Sequence, residues 1–69
     1  MNYDERLKYL EEQYPDMPHD QAISVAVYCD AGWSWLGLSS DGCVELSRPA
    51  TMETSERGYI RADGVFRNS

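Results

Sequence analysis

The sequence predicts an α+β domain, with one N-terminal amphipathic helix packed on an antiparallel β-meander of three to four strands. Three observations lead there. An apolar stripe at helical spacing occupies residues 3–14, alternating runs rich in β-branched and aromatic residues follow, and turn signals such as Asp41-Gly42 separate those runs. With 69 residues, the chain makes a single domain, 1–69. Apolar residues form 42% of it and aromatics 12%, too much core-forming side chain for a disordered segment.

The helix is expected over residues 2–14. Tyr3, Leu7, Leu10 and Tyr14 fall within about 60° of arc at 100° per residue. Asn2 is suited to the N-cap, Asp4 and Glu5 complement the helix dipole, and Lys8 is spaced to pair with Asp4 or Glu12. Pro15 stops the helix by biasing Tyr14 away from helical dihedrals. Residues 15–20, PDMPHD, read as a linker.

Residues 21–29 read as a first strand, with Ile23, Val25, Val27 and Cys29 on one face. Asp30-Ala31-Gly32 then serves as a hairpin connection to a second strand at 33–39. Ser40-Asp41-Gly42 is a turn, and 43–48 a third strand that Pro49 ends. Residues 49–58 read as a polar loop, 59–62 as a short fourth strand, and 65–69 as a tail anchored by Val65 and Phe66. The helix stripe is expected to cover Ile23, Val25, Val27, Leu36, Leu38, Val44 and Leu46. Trp33 and Trp35 then face the other way, joined by Tyr28. Such a face is a binding hot spot, a dimer contact, or a surface that the 49–58 loop or the tail folds over.

Composition narrows the functional classes. Twelve acidic residues oppose six basic ones, for a net charge of −6. Direct binding to nucleic acid or to an anionic membrane is disfavoured, because phosphate would repel this chain. No run reaches the roughly 18 apolar residues of a transmembrane helix. The start is charged from Asp4 onward, unlike a signal peptide, so a cytoplasmic protein is expected. Cys29, Cys43 and His19 are the only Cys and His residues, too few for a structural zinc site, and no metal or cofactor is expected. Both thiols read as reduced core residues, with a Cys29–Cys43 disulfide as the alternative in an oxidising setting. The serines and glycines lie in no nucleophile-elbow or phosphate-loop spacing, and His19 has no base partner in sequence, so no enzyme activity is expected.

The negative charge is unevenly spread. Residues 1–20 carry a net of −4, residues 21–53 a net of −3, and residues 54–69 a net of +1. The pairs Asp4/Glu5 and Glu11/Glu12 repeat after seven residues, a rise of about 10.5 Å. Three base steps along one strand of a duplex rise roughly 10 Å. The candidate partner-binding residues are therefore Asp4, Glu5, Glu11, Glu12, Asp30, Asp41 and Glu45, with Trp33 and Trp35 as an aromatic anchor. They suit a basic protein surface.

The acidic helix NYDERLKYLEEQ (2–13) and the acidic hairpins around Asp30, Asp41 and Glu45 give the chain a profile that resembles the small phage-encoded anti-CRISPR proteins. The resemblance spans the whole chain in size and charge and involves no motif. It implies a monomeric inhibitor in the bacterial cytoplasm that acts as a DNA mimic. Its partner would be a Cas protein of a type I surveillance complex, type I-C among the candidates, whose target-DNA groove it would block. The alternative is an antitoxin or immunity protein that neutralises a basic toxin or nuclease, which needs the same kind of acidic face.

Overall fold

The computed structural model describes residues 2–68 and contains two helices followed by four strands. Helix α1 spans Tyr3–Gln13, and the expected cap is present: Asn2 Oδ1 accepts from the Glu5 N–H at 2.8 Å. Tyr14 leaves helical dihedrals at φ −132° just before Pro15, while its N–H still reaches the Leu10 carbonyl at 2.9 Å. Leu10 is buried, and Leu7 and Tyr14 pack at the edge of the core.

The segment expected to be the first strand is a second helix, α2, at His19–Asp30. The linker is correspondingly shorter, since His19 and Asp20 open this helix. Ile23, Val25 and Val27 alternate as in a strand. Ala22, Val25, Ala26 and Cys29 also recur at i, i+3, i+4 and i+7, the spacing of a helix face. Burial follows the helical pattern: Ala22, Val25 and Ala26 are buried, whereas Val27 is 48% exposed. The segment expected to be a hairpin at 30–32 is the cap of α2. Gly32, at φ +109°, donates to the Cys29 carbonyl at 3.2 Å, and Trp33 donates to the Tyr28 carbonyl at 3.0 Å. This is a Schellman motif, whose left-handed position favours glycine.

The strands are β1 (Ser34–Leu38), β2 (Val44–Pro49), β3 (Ser55–Ile60) and β4 (Phe66–Asn68), in the sheet order β1-β2-β3-β4, all antiparallel. The meander is thus displaced toward the C-terminus. Strand β3 begins inside the expected 49–58 loop, and β4 lies in the expected tail; Ser69 lies outside the described residues. The β2–β3 connection is short because the Thr51 hydroxyl accepts from the N–H groups of Glu53 and Thr54 and closes it locally.

A bulge in β1 sets which side chains reach the core. Trp35 opposes Leu46 and Gly37 opposes Glu45, so Leu36 is an extra residue between them. Trp33 and Trp35 consequently face the helices with Val44, Leu46 and Ile60, and Leu36 is left 49% exposed. The expected orientation of the two tryptophans is reversed. Leu38 does return to the helix side, opposite Val44, but at the open end of the sheet, where it is 48% exposed.

Two features lock the layers together. Gln21, buried on α2, donates from Nε2 to the carbonyls of Gly42 (2.8 Å) and Ile60 (2.9 Å). At the other end, the Phe66 ring lies across the buried Gly58. It stacks on Tyr28 with centroids 4.3 Å apart and meets Trp33 edge-on at 5.0 Å. The Arg48 guanidinium caps Trp33 at 4.7 Å and bonds Glu56 at 2.6 Å.

A Cβ on Gly58 would collide with Phe66 Cζ and approach Cε2 to 2.7 Å. Gly58→Ala should therefore destabilise the fold by about 1–3 kcal/mol through overpacking. Thermal denaturation monitored by circular dichroism checks this, and an unchanged midpoint would mean that Phe66 can leave Gly58 freely.

Candidate protein-binding surface

The sheet carries the helices on one face only, so polar groups distribute over a helical layer and an open sheet face. Residues 1–31 contain seven acids and two bases, and residues 32–69 five acids and four bases. The helical layer thus carries nearly all of the net charge.

On α1, Asp4, Glu5, Glu11 and Glu12 are all exposed. Their positions span about 120° of the helix, centred about 130° from the stripe of Leu7 and Leu10, with the exposed Lys8 in the middle of them. Asp16 at the corner between the helices, Asp20 in the first turn of α2, and Asp30 at its end are exposed too. Among the described residues, ion pairs within 4.0 Å join only Arg48 to Glu56 and His19 to Glu11, the latter at 3.9 Å. The expected Lys8 pairing with Asp4 or Glu12 is not formed. The four carboxylates of α1 therefore face solvent with a net excess of negative charge, Lys8 being the one cation on their side of the helix.

Several of these carboxylates oppose the local preference of their helices. Glu11 and Glu12 lie in the last turn of α1 and Asp30 in the last turn of α2, and neither turn contains a basic residue. A negative charge at a helix C-terminus is unfavourable by about 0.3–1 kcal/mol. These side chains do not serve the helices that bear them.

The remaining predicted site residues lie elsewhere. Glu45 projects from the sheet face turned away from the helices, opposite Tyr59 on β3. Asp41 is in the β1–β2 turn, where its Oδ1 accepts from the Ser39 hydroxyl and from the Cys43 N–H at 3.4 Å. Trp33, 7% exposed, and Trp35, half-buried, belong to the core rather than to an open aromatic face. Sequence reasoning missed Asp16 and Asp20 as neighbours of the acidic ridge, because both lay in what read as a linker. Tyr59, Arg57 and Arg67 lie on the open sheet face, where Tyr59 and Arg67 pair directly.

Cys29 and Cys43 are free. Burial pushes the Cys29 thiol up against the weaker opposing influence of Arg6, and desolvation followed by the charge of Asp41 pushes Cys43 up. Both are therefore neutral, weakly nucleophilic thiols at neutral pH. Among the described residues, no three His, Cys, Asp or Glu side chains are grouped to hold a metal ion, and no helix is long and apolar enough to cross a membrane.

The Asp41 carboxyl is held below its ordinary range, first by the Ser39 hydroxyl and then by the Cys43 N–H. Its contribution to stability is therefore present above the ordinary aspartate value of about 3.9 and is lost as pH falls from there through the lower folded value. Ser39→Ala should raise the Asp41 pKa toward the ordinary value, as read by an NMR titration of the side-chain carboxyl carbon. An unchanged titration would assign the shift to the turn backbone alone.

No protein-family model matches the chain, and no curated protein or solved structure matches it either. The functional reading rests on the residues and their placement.

Proposed function

We propose that this chain is a non-enzymatic inhibitor that presents the carboxylate ridge of α1 to a basic, nucleic-acid-binding surface and so competes with DNA for it. The partner we propose is a Cas protein of a type I CRISPR surveillance complex in the cytoplasm of the bacterial host. The observation that carries this reading is the placement of Glu11, Glu12 and Asp30. They are exposed at helix C-termini where charge disfavours them, and no lysine or arginine lies within ion-pair distance among the described residues. Charge held against the preference of its own helix is accounted for by an external partner.

The spacing supports a phosphate mimic in particular. Asp4 to Glu11 and Glu5 to Glu12 each rise about 10.5 Å along α1. That is near the roughly 10 Å of three phosphate steps. Lysines and arginines that neutralise successive phosphates would meet successive carboxylates. Association would be fast through long-range steering and would weaken as salt rises. Glu45, on the other face of the sheet, takes no part in this ridge, and the buried Trp33 is no anchor for it.

Helix stability and inhibition should respond in opposite directions to one change. Glu11→Lys with Glu12→Lys places cations at the C-terminus of α1 and should leave the thermal midpoint equal or higher. The same variant should lower inhibition about tenfold or more, because charges facing a partner control encounter. Phage plaquing on bacteria carrying defined type I systems, followed by DNA competition with the purified complex, reads the second effect. Full inhibition by the folded variant would sink the DNA-mimic reading. Wild-type chain that restores plaquing in no system would redirect the acidic surface toward toxins and nucleases.

A further inference from the structure

A cleft of about 390 Å³ opens where the α1–α2 corner meets the tip of the β1–β2 hairpin. Its walls are largely apolar, made by Tyr14, Met17, Pro18 and the half-exposed Leu38. Asp16, exposed and without an ion-pair partner among the described residues, lines it too. Gln21 also lines this cleft, although only 1% of it is exposed. Its Nε2 is committed to the Gly42 and Ile60 carbonyls, and among the described residues Oε1 has no donor. No side-chain oxygen or nitrogen sealed from solvent lacks a partner among those residues, so the small exposure that Gln21 retains is at Oε1. The cleft thus combines an apolar wall, a buried hydrogen-bond acceptor and a carboxylate.

We propose that this cleft receives a tryptophan side chain flanked by lysine or arginine on the basic surface of the partner, a step that rests on the inhibitor reading above. An indole has the required parts: a large apolar body and a single N–H that donates and never accepts. Surfaces that bind single-stranded nucleic acid combine cationic grooves with aromatic side chains on which bases stack. A chain that substitutes for nucleic acid there must meet the aromatic groups as well as the cations. The α1 ridge stands in for phosphates, and the cleft beside it stands in for a base. Volumes of about 300–1,000 Å³ are usual for pockets that bury small ligands, so one large side chain fits.

Two peptides separate the cleft from the ridge: Lys-Lys-Trp-Lys-Lys and Lys-Lys-Gly-Lys-Lys, titrated into the isotope-labelled protein at low salt and followed by NMR. Both should shift α1 amides. Only the tryptophan peptide should shift Met17, Leu38 and the Gln21 side-chain amide. It should bind about tenfold tighter, as partial burial of one large apolar side chain implies. That advantage should persist at about 0.5 M salt, where exposed charge pairs are screened. Leu38→Ser, at a half-exposed edge position, should erase the advantage and leave the glycine peptide unaffected. Equal binding of both peptides with shifts confined to α1 would overturn the cleft and leave the ridge standing. Cleft shifts without any α1 response to the glycine peptide would support the cleft and overturn the ridge. Silence of both peptides would overturn both.

Discussion

The buried amide of Gln21 is the tie on which the two layers depend. It stands among apolar neighbours, where an unpaired amide would cost about 1–3 kcal/mol. Its two donated bonds remove most of that penalty, and they fix α2 against the hairpin tip through Gly42 and against the end of β3 through Ile60. The constraint is directional in a way that apolar packing is not. Valines and leucines can slide past one another, whereas an amide with two carbonyl partners specifies one register between helix and sheet. One turn further along α2, Ser24 adds a similar tie, donating to the Gly64 carbonyl at 2.7 Å. One helix is thereby bonded to both hairpin turns it crosses.

The same arrangement explains why the cleft exists. Gln21 ties Gly42 to α2, and the 15–18 corner between the helices forms the wall that faces the hairpin tip. Leu38 completes the wall but remains half-exposed because the bulge at Leu36 brings it back to the helix side only at the last residue of β1. A core that closed completely there would need a larger side chain from the corner. Of Pro15, Asp16, Met17 and Pro18 at that corner, only Met17 packs against the core.

Much of this architecture was legible in the sequence, and the failures have specific causes. Helix α1 was readable to within a residue or so because cap, stripe and terminating proline agree. Helix α2 was not, because Ile23, Val25 and Val27 satisfy a strand period while Ala22, Val25, Ala26 and Cys29 satisfy a helical one. Signals that favour the helix were present: Pro18 directly before it, Asp20 in its first turn, Gly32 just past its end, and a run longer than an ordinary strand. Misreading α2 also misdirected the sheet, since a sheet with one helix above it leaves an aromatic face bare, whereas two helices cover Trp33 and Trp35. The bulge that orients those tryptophans has no signature beyond Gly37. The α1 carboxylates were readable because helical spacing alone places them on one side. The cleft was not, because it joins residues 13–21 to 38–42 through a hydrogen bond that no local pattern encodes.

The distribution of cations completes the physical picture. Arg48 is engaged within the fold, bonded to Glu56 and stacked over Trp33. Arg57, Arg61 and Arg67 belong to the sheet region, away from the helical ridge, and so do little to screen it. Within the helical layer, Arg6 and Lys8 are outnumbered by seven acids. The molecule is therefore electrically asymmetric as well as acidic, with a strongly negative helical layer and a nearly balanced sheet. Net charge alone would draw a cationic surface to any side of so small a body. An asymmetric charge also turns the body during approach, so that the helices lead. Apolar contacts act only at close range, so at the basic partner we propose the ridge would orient first and the cleft at the same helical corner would then come within reach.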